Sequence, residues 1–494
     1  VKRFSNYVKK ICFFFAWITL AGCAVGPDFR APGAPGVKSF TEEPMPGETV
    51  SAPGTGGETQ HFTVNRDIPE QWWTLFHSQT LDRLIRQALA GSPTVEEAEA
   101  ALREARENLR ARTGTVYYPS IDGDLSATRQ KSTGASFGQP DAPGSTFTLI
   151  NASVNVSYAL DIFGGGRREL EALRAQTDNR RFLLEGARLT LSASVVTTAV
   201  KEASLRARIR ATEEIVKSQA EQLELVERQF VLGGISRSDV LAQKTQLAQT
   251  KATLPPLENE LARTRHQLAA LCGRFPGEEG LPVFELDDLD LPTDLPLSLP
   301  SSLARQRPDI RASEGLLHAA SAQVGVATAN LYPHITLSAG LGTNATRMED
   351  LFSSGSSVWN LGAGLLQPLF HGGELTAKRR AAIAAYDQAR ARYRDTVLQA
   401  FRDVADVLRA LETDARTLLA RSEAETAARD SFDVARKQFR AGAVSYLTLL
   451  NAQQQYQQAR ISLIEARAAR FADSAALFQS LGGGWWNKEG EPGD

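Results

Sequence analysis

The chain has 494 residues, 42% hydrophobic and 23% charged, with a formal net charge of −2. That length supports a large folded body, and no basic patch interleaved with aromatics appears, which excludes nucleic acid as a partner. Two methionines and three cysteines leave no material for a thioether relay or a cysteine metal cluster.

The N-terminus reads as a targeting segment. Lys2, Arg3, Lys9 and Lys10 precede an apolar core from Ile11 to Ala21, too short to span about 30 Å of hydrocarbon. Leu20-Ala21-Gly22-Cys23 has the form of a lipobox. Residues 1–22 are therefore predicted to be a lipoprotein signal peptide and Cys23 the lipidated residue. Losing the four basic residues takes the net charge from −2 to about −6. Cys12 leaves with the signal, so Cys272 has no disulfide partner and reads as a small buried apolar side chain at a helix end.

Residues 23–66 are rich in Gly, Pro, Thr and Glu and read as an extended, partly ordered lead. Order begins near Ile68, and Leu81, Leu84, Ile85, Ala88 and Leu89 step at helical spacing. Ser92-Pro93 ends that helix and starts another, which runs to about Gly114. From Tyr118 to Phe163 the pattern changes to alternation: Ile121, Gly123 and Leu125 against Asp122, Asp124 and Ser126, then Val154 and Val156 against Asn155 and Ser157. This predicts two strands joined by a polar loop, the pattern of a membrane β-hairpin. Gly166 to about Leu232 has no proline and predicts a helix of roughly 100 Å. Leu205, Ile209, Thr212, Val216, Gln219, Leu223, Val226 and Phe230 step by four and three, as in a coiled coil. A tight turn follows, with Ser236 and Asp239 spaced as a capping box. The returning helix is interrupted at Pro255-Pro256, and residues 281–300 read as a Pro-rich linker.

The chain then repeats itself. Residues 67–280 form the first predicted repeat (helices, β-hairpin 118–163, helical hairpin 166–272) and 301–481 the second (helix, β-hairpin 333–370, helical hairpin 373–481). A tail occupies 482–494. Phe230 aligns with Phe439, Gly233 with Gly442, Ser236 with Ser445, and Phe163-Gly-Gly-Gly with Phe370-His-Gly-Gly. Val397, Phe401, Val404, Leu408, Leu411, Ala415 and Leu418 give the second long helix the same seven-residue seam. Such a duplication describes a symmetric wall rather than a catalytic pocket. Four membrane strands cannot close a barrel, and a bilayer tolerates no open sheet edge, so the chain must oligomerise: eight strands in a dimer, twelve in a trimer.

Several motifs occur in a fixed order: the lipobox; Pro69-x-x-Trp72-Trp73-x-Leu75-Phe76; Arg307-Pro308-Asp309-Ile310; Leu331-Tyr332-Pro333; Gln367-Pro368-Leu369-Phe370; the two turns; and Leu481-Gly482-Gly483-Gly484-Trp485. In this order the chain resembles the outer-membrane factor (TolC-like) family, in its efflux lipoprotein (NodT-type) branch. The resemblance implies an α+β membrane protein. It would be a homotrimer whose twelve-stranded transmembrane β-barrel, four strands per chain, continues into a long periplasmic α-helical coiled-coil barrel. It implies an exit duct in a tripartite efflux system, with a periplasmic adaptor, an inner-membrane RND-type pump and outer-membrane lipid as partners.

By the same resemblance the two helical hairpin tips form the periplasmic mouth. Gly233, Ser236, Ser238, Asp239, Gly442 and Ser445 are the predicted adaptor-docking tips. Phe439, Leu447, Thr448, Leu450 and Asn451 are the predicted gate. Family members carry gate carboxylates where Thr448 and Asn451 stand, and an arginine where Val444 stands, so a neutral, apolar mouth is expected here. No enzyme, cofactor or metal site is predicted. The six histidines (His61, His77, His266, His318, His334, His371) have no metal-ligand spacing, and Gly164-Gly165-Gly166 lacks the rest of a phosphate loop. Two alternatives stand beside this reading: an outer-membrane duct for type I protein secretion, and a pore-less periplasmic coiled-coil scaffold. The duplicated membrane-type hairpins speak against the scaffold.

Overall fold

A computed structural model describes residues 24–487, apart from 38, 65, 134–137, 139, 140 and 142. The predicted signal peptide, the lipidation residue Cys23 and the last residues of the tail lie outside the described residues. In chain order the elements are β1 (His61–Val64), α1 (Gln79–Gly91), α2 (Pro93–Tyr117), β2 (Ser120–Ser132), β3 (Ser145–Leu160), α3 (Gly165–Val231), α4 (Arg237–Ala252), α5 (Leu254–Leu271), β4 (Asp294–Leu297), α6 (Pro300–Gln306), α7 (Pro308–Ala329), β5 (His334–Ala345), β6 (Ser357–Leu366), α8 (Glu374–Arg440) and α9 (Tyr446–Ser480). They fall into two compact units.

The first unit holds the chain up to Pro32, Leu102–Arg180 and Ser313–Tyr393. Its centre is one antiparallel sheet in the order β2-β3-β5-β6. Register puts Ile121, Val156, Ala339 and Leu361 in one row, and Val154, Leu341 and Trp359 beside Gly123 in the next. That face is apolar yet bare: Ile121 is 67% exposed, Leu341 64%, Trp359 76% and Leu361 79%. The opposite face carries Asp122, Asn155, Gly340 and Asn360 in one row and Ser126, Asn151 and Asn344 in another. Asn151 Nδ2 donates to Asn344 Oδ1 at 3.0 Å. One apolar face and one polar face are what a membrane barrel wall needs.

The second unit comprises Gly33–Ala101, Arg181–Ala312 and Arg394 onward. Its helices pack through seams with a seven-residue period. On α8 the buried positions are Val397, Ala400, Val404, Leu408, Leu411, Ala415, Leu418, Ser422, Glu425, Phe432 and Ala435. On α3 the buried positions Leu205, Thr212, Gln219 and Val226 fall seven apart. Val216 and Leu223, expected as their alternates, are half-buried, and Phe230 is exposed. Among the described residues no helix is long and apolar enough to cross a membrane.

This unit also departs from the sequence reading. Residues 281–300, read as a Pro-rich linker, carry a short strand of their own, and the partly ordered lead to residue 66 pairs with it. β1 pairs in parallel with β4, His61 opposite Asp294 and Val64 opposite Leu297. Phe284, Leu289 and Leu295 are fully buried. Arg470 of α9, itself inaccessible, donates from Nη2 to the Glu58 carbonyl (3.1 Å) and Gln60 Oε1 (2.8 Å). Gln60 Nε2 in turn donates to the Pro292 carbonyl and Ser474 Oγ, each at 2.8 Å. A buried guanidinium needs such partners, so the lead is bound where it crosses α9. The tryptophan pairs seal the same unit: Trp72 stacks on Phe478 with centroids 5.4 Å apart, and Trp485 Nε1 donates to the Gln306 carbonyl at 2.6 Å.

Candidate functional site

Both long helices end in the same way. At the end of α3, Gly233 takes φ +78°. Its N–H donates to the Phe230 carbonyl at 2.9 Å, and the Gly234 N–H donates to the Gln229 carbonyl at 2.8 Å. At the end of α8, Gly442 takes φ +74°. Its N–H donates to the Phe439 carbonyl at 3.0 Å, and the Ala443 N–H donates to the Gln438 carbonyl at 2.9 Å. This is the Schellman closure, which puts a left-handed residue just past the helix and so selects glycine.

The returning helices are capped unequally. Ser236 Oγ accepts from the Asp239 N–H at 3.2 Å, and Asp239 Oδ2 accepts from the Ser236 N–H at 3.1 Å and from its hydroxyl at 2.7 Å. Ser238 Oγ lies 2.6 Å from Ser236 Oγ. In the second tip Ser445 Oγ accepts from the Thr448 N–H at 3.3 Å, and no carboxylate closes the box. Ser236→Ala is therefore expected to weaken the α4 start by about 1 kcal/mol. Hydrogen exchange at the Asp239 amide should speed up in that variant, while the α9 start is unaffected.

Behind the caps, Val226, Val240, Phe432, Ala435, Tyr446, Leu449, Leu450 and Ala452 form one buried cluster, with Phe439 packed against it. Phe439 meets Tyr446 edge-on at 5.5 Å. Two neutral bridges join the hairpins: the Tyr446 hydroxyl donates to Gln243 Oε1, and Gln454 Nε2 donates to Gln246 Oε1. Gln243 Nε2 also donates to the Gln219 carbonyl at 2.8 Å. Burial first, and the Asp239 charge second, push the Tyr446 phenol above its ordinary range, so it stays a neutral donor.

The predicted residues thus separate. Phe439 and Leu450 join the cluster. Leu447 is 61% exposed, and Thr448 and Asn451 are exposed too. Leu447 and Asn451, one helical turn apart, share a bare face. Gly233, Ser236, Ser238, Gly442 and Ser445 lie at the exposed ends, beside bare Val231 and Leu232. Sequence reasoning missed Tyr446, Gln243, Gln246 and Gln454. An aromatic directly after the cap serine, and the glutamine run from Gln453, were the signals available.

Comparison with known proteins follows the same lines. The model of the outer membrane efflux protein family matches residues 84–274 and 299–483. The chain is 31% identical over 453 residues to the pyoverdine export outer membrane protein OpmQ of Pseudomonas putida, covering 90% of this chain and 94% of that protein. It is 26% identical to the probable outer membrane lipoprotein SilC of Salmonella typhimurium, covering 94% and 96% of the two chains. Its fold superposes on the outer-membrane channel OprN with a TM-score of 0.83 at 29% identity, covering 94% of this chain and all of that one.

Proposed function

The chain belongs to the outer membrane efflux protein family, and from that premise we propose that it is the outer-membrane exit duct of a tripartite efflux system, acting as a homotrimer. One observation carries the reading: a sheet with an apolar face, a polar face and two open edges, β2 and β6. In a bilayer each unpaired edge group costs several kcal/mol, so the edges must find partners. Strand direction alternates along β2-β3-β5-β6. The β6 of one copy therefore meets the β2 of the next antiparallel. Three copies make twelve strands, enough for a water-filled lumen, whereas eight would be filled by side chains.

In this account residues 67–280 and 301–481 each give one hairpin to the barrel and one helical hairpin to a periplasmic tunnel. Cys23 carries the lipid. The duct performs no chemistry. An inner-membrane RND-type pump supplies energy, and a periplasmic adaptor docks on Gly233, Ser236, Ser238, Asp239, Gly442 and Ser445. At rest the mouth is shut by Phe439, Leu447, Thr448, Leu450 and Asn451. Leu447 and Asn451 face neighbouring copies, and opening requires the Tyr446–Gln243 and Gln454–Gln246 bridges to give way.

Because Thr448 and Asn451 carry no charge, the second tip contributes no carboxylate ring, and the Asp239 carboxylate of the first tip is occupied by the hydrogen bonds of its own cap. Single-channel recording on the purified protein tests this. Multivalent cations on the tip side should leave conductance nearly unchanged, since an uncharged ring offers them no site. Strong block at micromolar concentration would contradict the neutral mouth.

A further inference from the structure

Arg129 and Lys131 stand where the apolar face of the sheet runs out. Along β2 the register carries Ile121, Gly123, Leu125 and Ala127 on that face, and the same alternation brings Arg129 and then Lys131 beyond them. Asp122 and Asp124, the other ionised residues of the four strands, lie on the opposite face. Both cations are exposed, and among the described residues neither has an ion-pair partner. The apolar face below them has the height of a bilayer wall. It begins at the row of Leu160, Ile335 and Leu365 and ends at the row of Ala127, Ile150 and Ala345. The ten steps from Leu160 to Ile150 cover about 34 Å of strand, or roughly 26 Å of height at a tilt of about 40°, against an apolar band of about 25 Å in outer-membrane barrels.

Just inside that rim the apolar face is dented. Gly123 and Ala152 add no bulk beside Leu125, Val154 and Leu341, and a Cβ built at Gly123 would meet nothing within 4 Å. The groove so formed, of about 610 Å³, crosses β2, β3 and β5 and is overhung by Phe352 of the β5–β6 loop, itself 82% exposed. Asn151 and Asn155, on the polar face, take no part in it. From Leu125 to Arg129 is about 14 Å of strand at 3.4 Å a residue, a distance that an acyl chain below its headgroup spans. An apolar slot with a cation pair above it suits a ligand that is acyl chain at one end and phosphate at the other.

We propose that this face binds a phosphorylated glycolipid of the outer leaflet, one per chain, with its phosphates on Arg129 and Lys131 and an acyl chain in the groove under Phe352. The outer leaflet of an outer membrane is built from such lipids. Cations with no carboxylate on their face, set at the top of the apolar band, meet those phosphates at headgroup height. Glycerophospholipids of the inner leaflet meet the opposite end, where this face bears no ionised side chain. β2 is an open edge of the sheet, so the bound lipid lies beside the seam between copies. The inference rests on the barrel reading above, which sets the hairpin loops on the outer side.

The test is native mass spectrometry of the detergent-solubilised full chain after exchange with lipid A, a bisphosphorylated and acylated disaccharide. Dephosphorylated lipid A and phosphatidylglycerol are exchanged in separate samples. The parent should retain lipid A and shed the other two. Retention should fall roughly fivefold for each charge removed in Arg129→Gln and Lys131→Gln. It should fall by a similar factor in Gly123→Leu, which fills the groove and leaves the charges. Arg347→Gln is the control: that guanidinium is exposed and pairs with Glu349 at 3.3 Å, and its loss should change nothing. The same spectra report the assembly of each variant, so one that does not assemble leaves the other two to decide. Planar-bilayer conductance is recorded alongside. A parent that forms channels but retains no lipid A, or retains phosphatidylglycerol equally, would overturn this inference alone. So would undiminished retention in the variants, or an equal loss in Arg347→Gln. A parent that forms no channels would overturn the barrel reading and this inference with it.

Discussion

Arg307→Ala is expected to destabilise the protein by about 2–3 kcal/mol per chain, through the lost hydrogen bonds of a nearly buried cation, since the Asp309 and Asp403 carboxylates left behind are 46% and 37% exposed and rehydrate. Arg307 stands between α6 and the Pro308 that starts α7, with a side chain only 11% exposed. Its Nε and Nη2 grip the Asp309 carboxylate at 3.0 and 2.7 Å. Nη2 also reaches Asp403 of α8 at 3.2 Å. Nη1 donates to the Ala400 carbonyl at 3.3 Å and to the Ser480 carbonyl at 3.1 Å. The last is an orphan carbonyl at the end of α9, where a cation also opposes the helix dipole. One side chain thus staples three helices. Arg307→Lys keeps the charge but loses the planar fork and should recover only part of the loss. Thermal unfolding of detergent-solubilised protein by circular dichroism reads both variants. Melting within a degree of the parent for Arg307→Ala would contradict the staple.

Asp473→Asn is expected to stabilise the protein above neutral pH and to have little effect near pH 3, below the ordinary carboxylate pKa. Burial, and then the neighbouring Asp414 carboxyl, push Asp473 up to about 7, against a partial pull from Arg470. Arg470 also feels Glu58 on the lead. The sign follows from linkage. The folded state holds a proton on Asp473 that the unfolded chain releases at its ordinary carboxylate pKa. The contribution of Asp473 is therefore most favourable at acid pH and is lost between about pH 4 and 7. At about 1.4 kcal/mol per pKa unit, the loss is at most roughly 4 kcal/mol per chain. Asparagine supplies a neutral group at every pH and removes this term. Melting of parent and variant at pH 3 and pH 8 reads it: similar at pH 3, the variant higher at pH 8. Equal melting at both pH values would show that Asp473 ionises freely where it stands.

The sequence made the walls legible, because strands and coiled-coil helices write their period into the chain. The two-residue alternation from Ile121 and from Ile335 became paired strands, and the seam from Val397 to Leu418 became the buried stripe of α8. The turns were legible because Gly233, Gly442, Ser236 and Ser445 each answer a local backbone need. Contacts between distant segments were not. His61 pairs with Asp294 through strands of four residues, too short to carry a period and, in β4, interrupted by Pro296. Arg470 looks like one more charged helix residue until the lead lies across it. Tyr446 and Gln243, 203 residues apart, are ordinary side chains whose bridge exists only once the hairpins pack. At the start of α9, Leu450 and Leu447 carry the same side chain. Helical phase alone separates them, one buried in the cluster and the other bare.

The central claim is that β2 and β6 close a twelve-stranded barrel between copies. Disulfide trapping tests it most directly. One cysteine replaces Asp124 on β2, and a second is walked along β6 through Val358, Asn360 and Gly362, all on the polar face. Paired neighbours across an antiparallel ladder lie within disulfide reach. Cys272 is buried and does not compete. The account predicts that one register gives a covalent ladder ending at three chains on a denaturing gel. A ladder ending at two chains, or intact assemblies that never crosslink at any register, would contradict it.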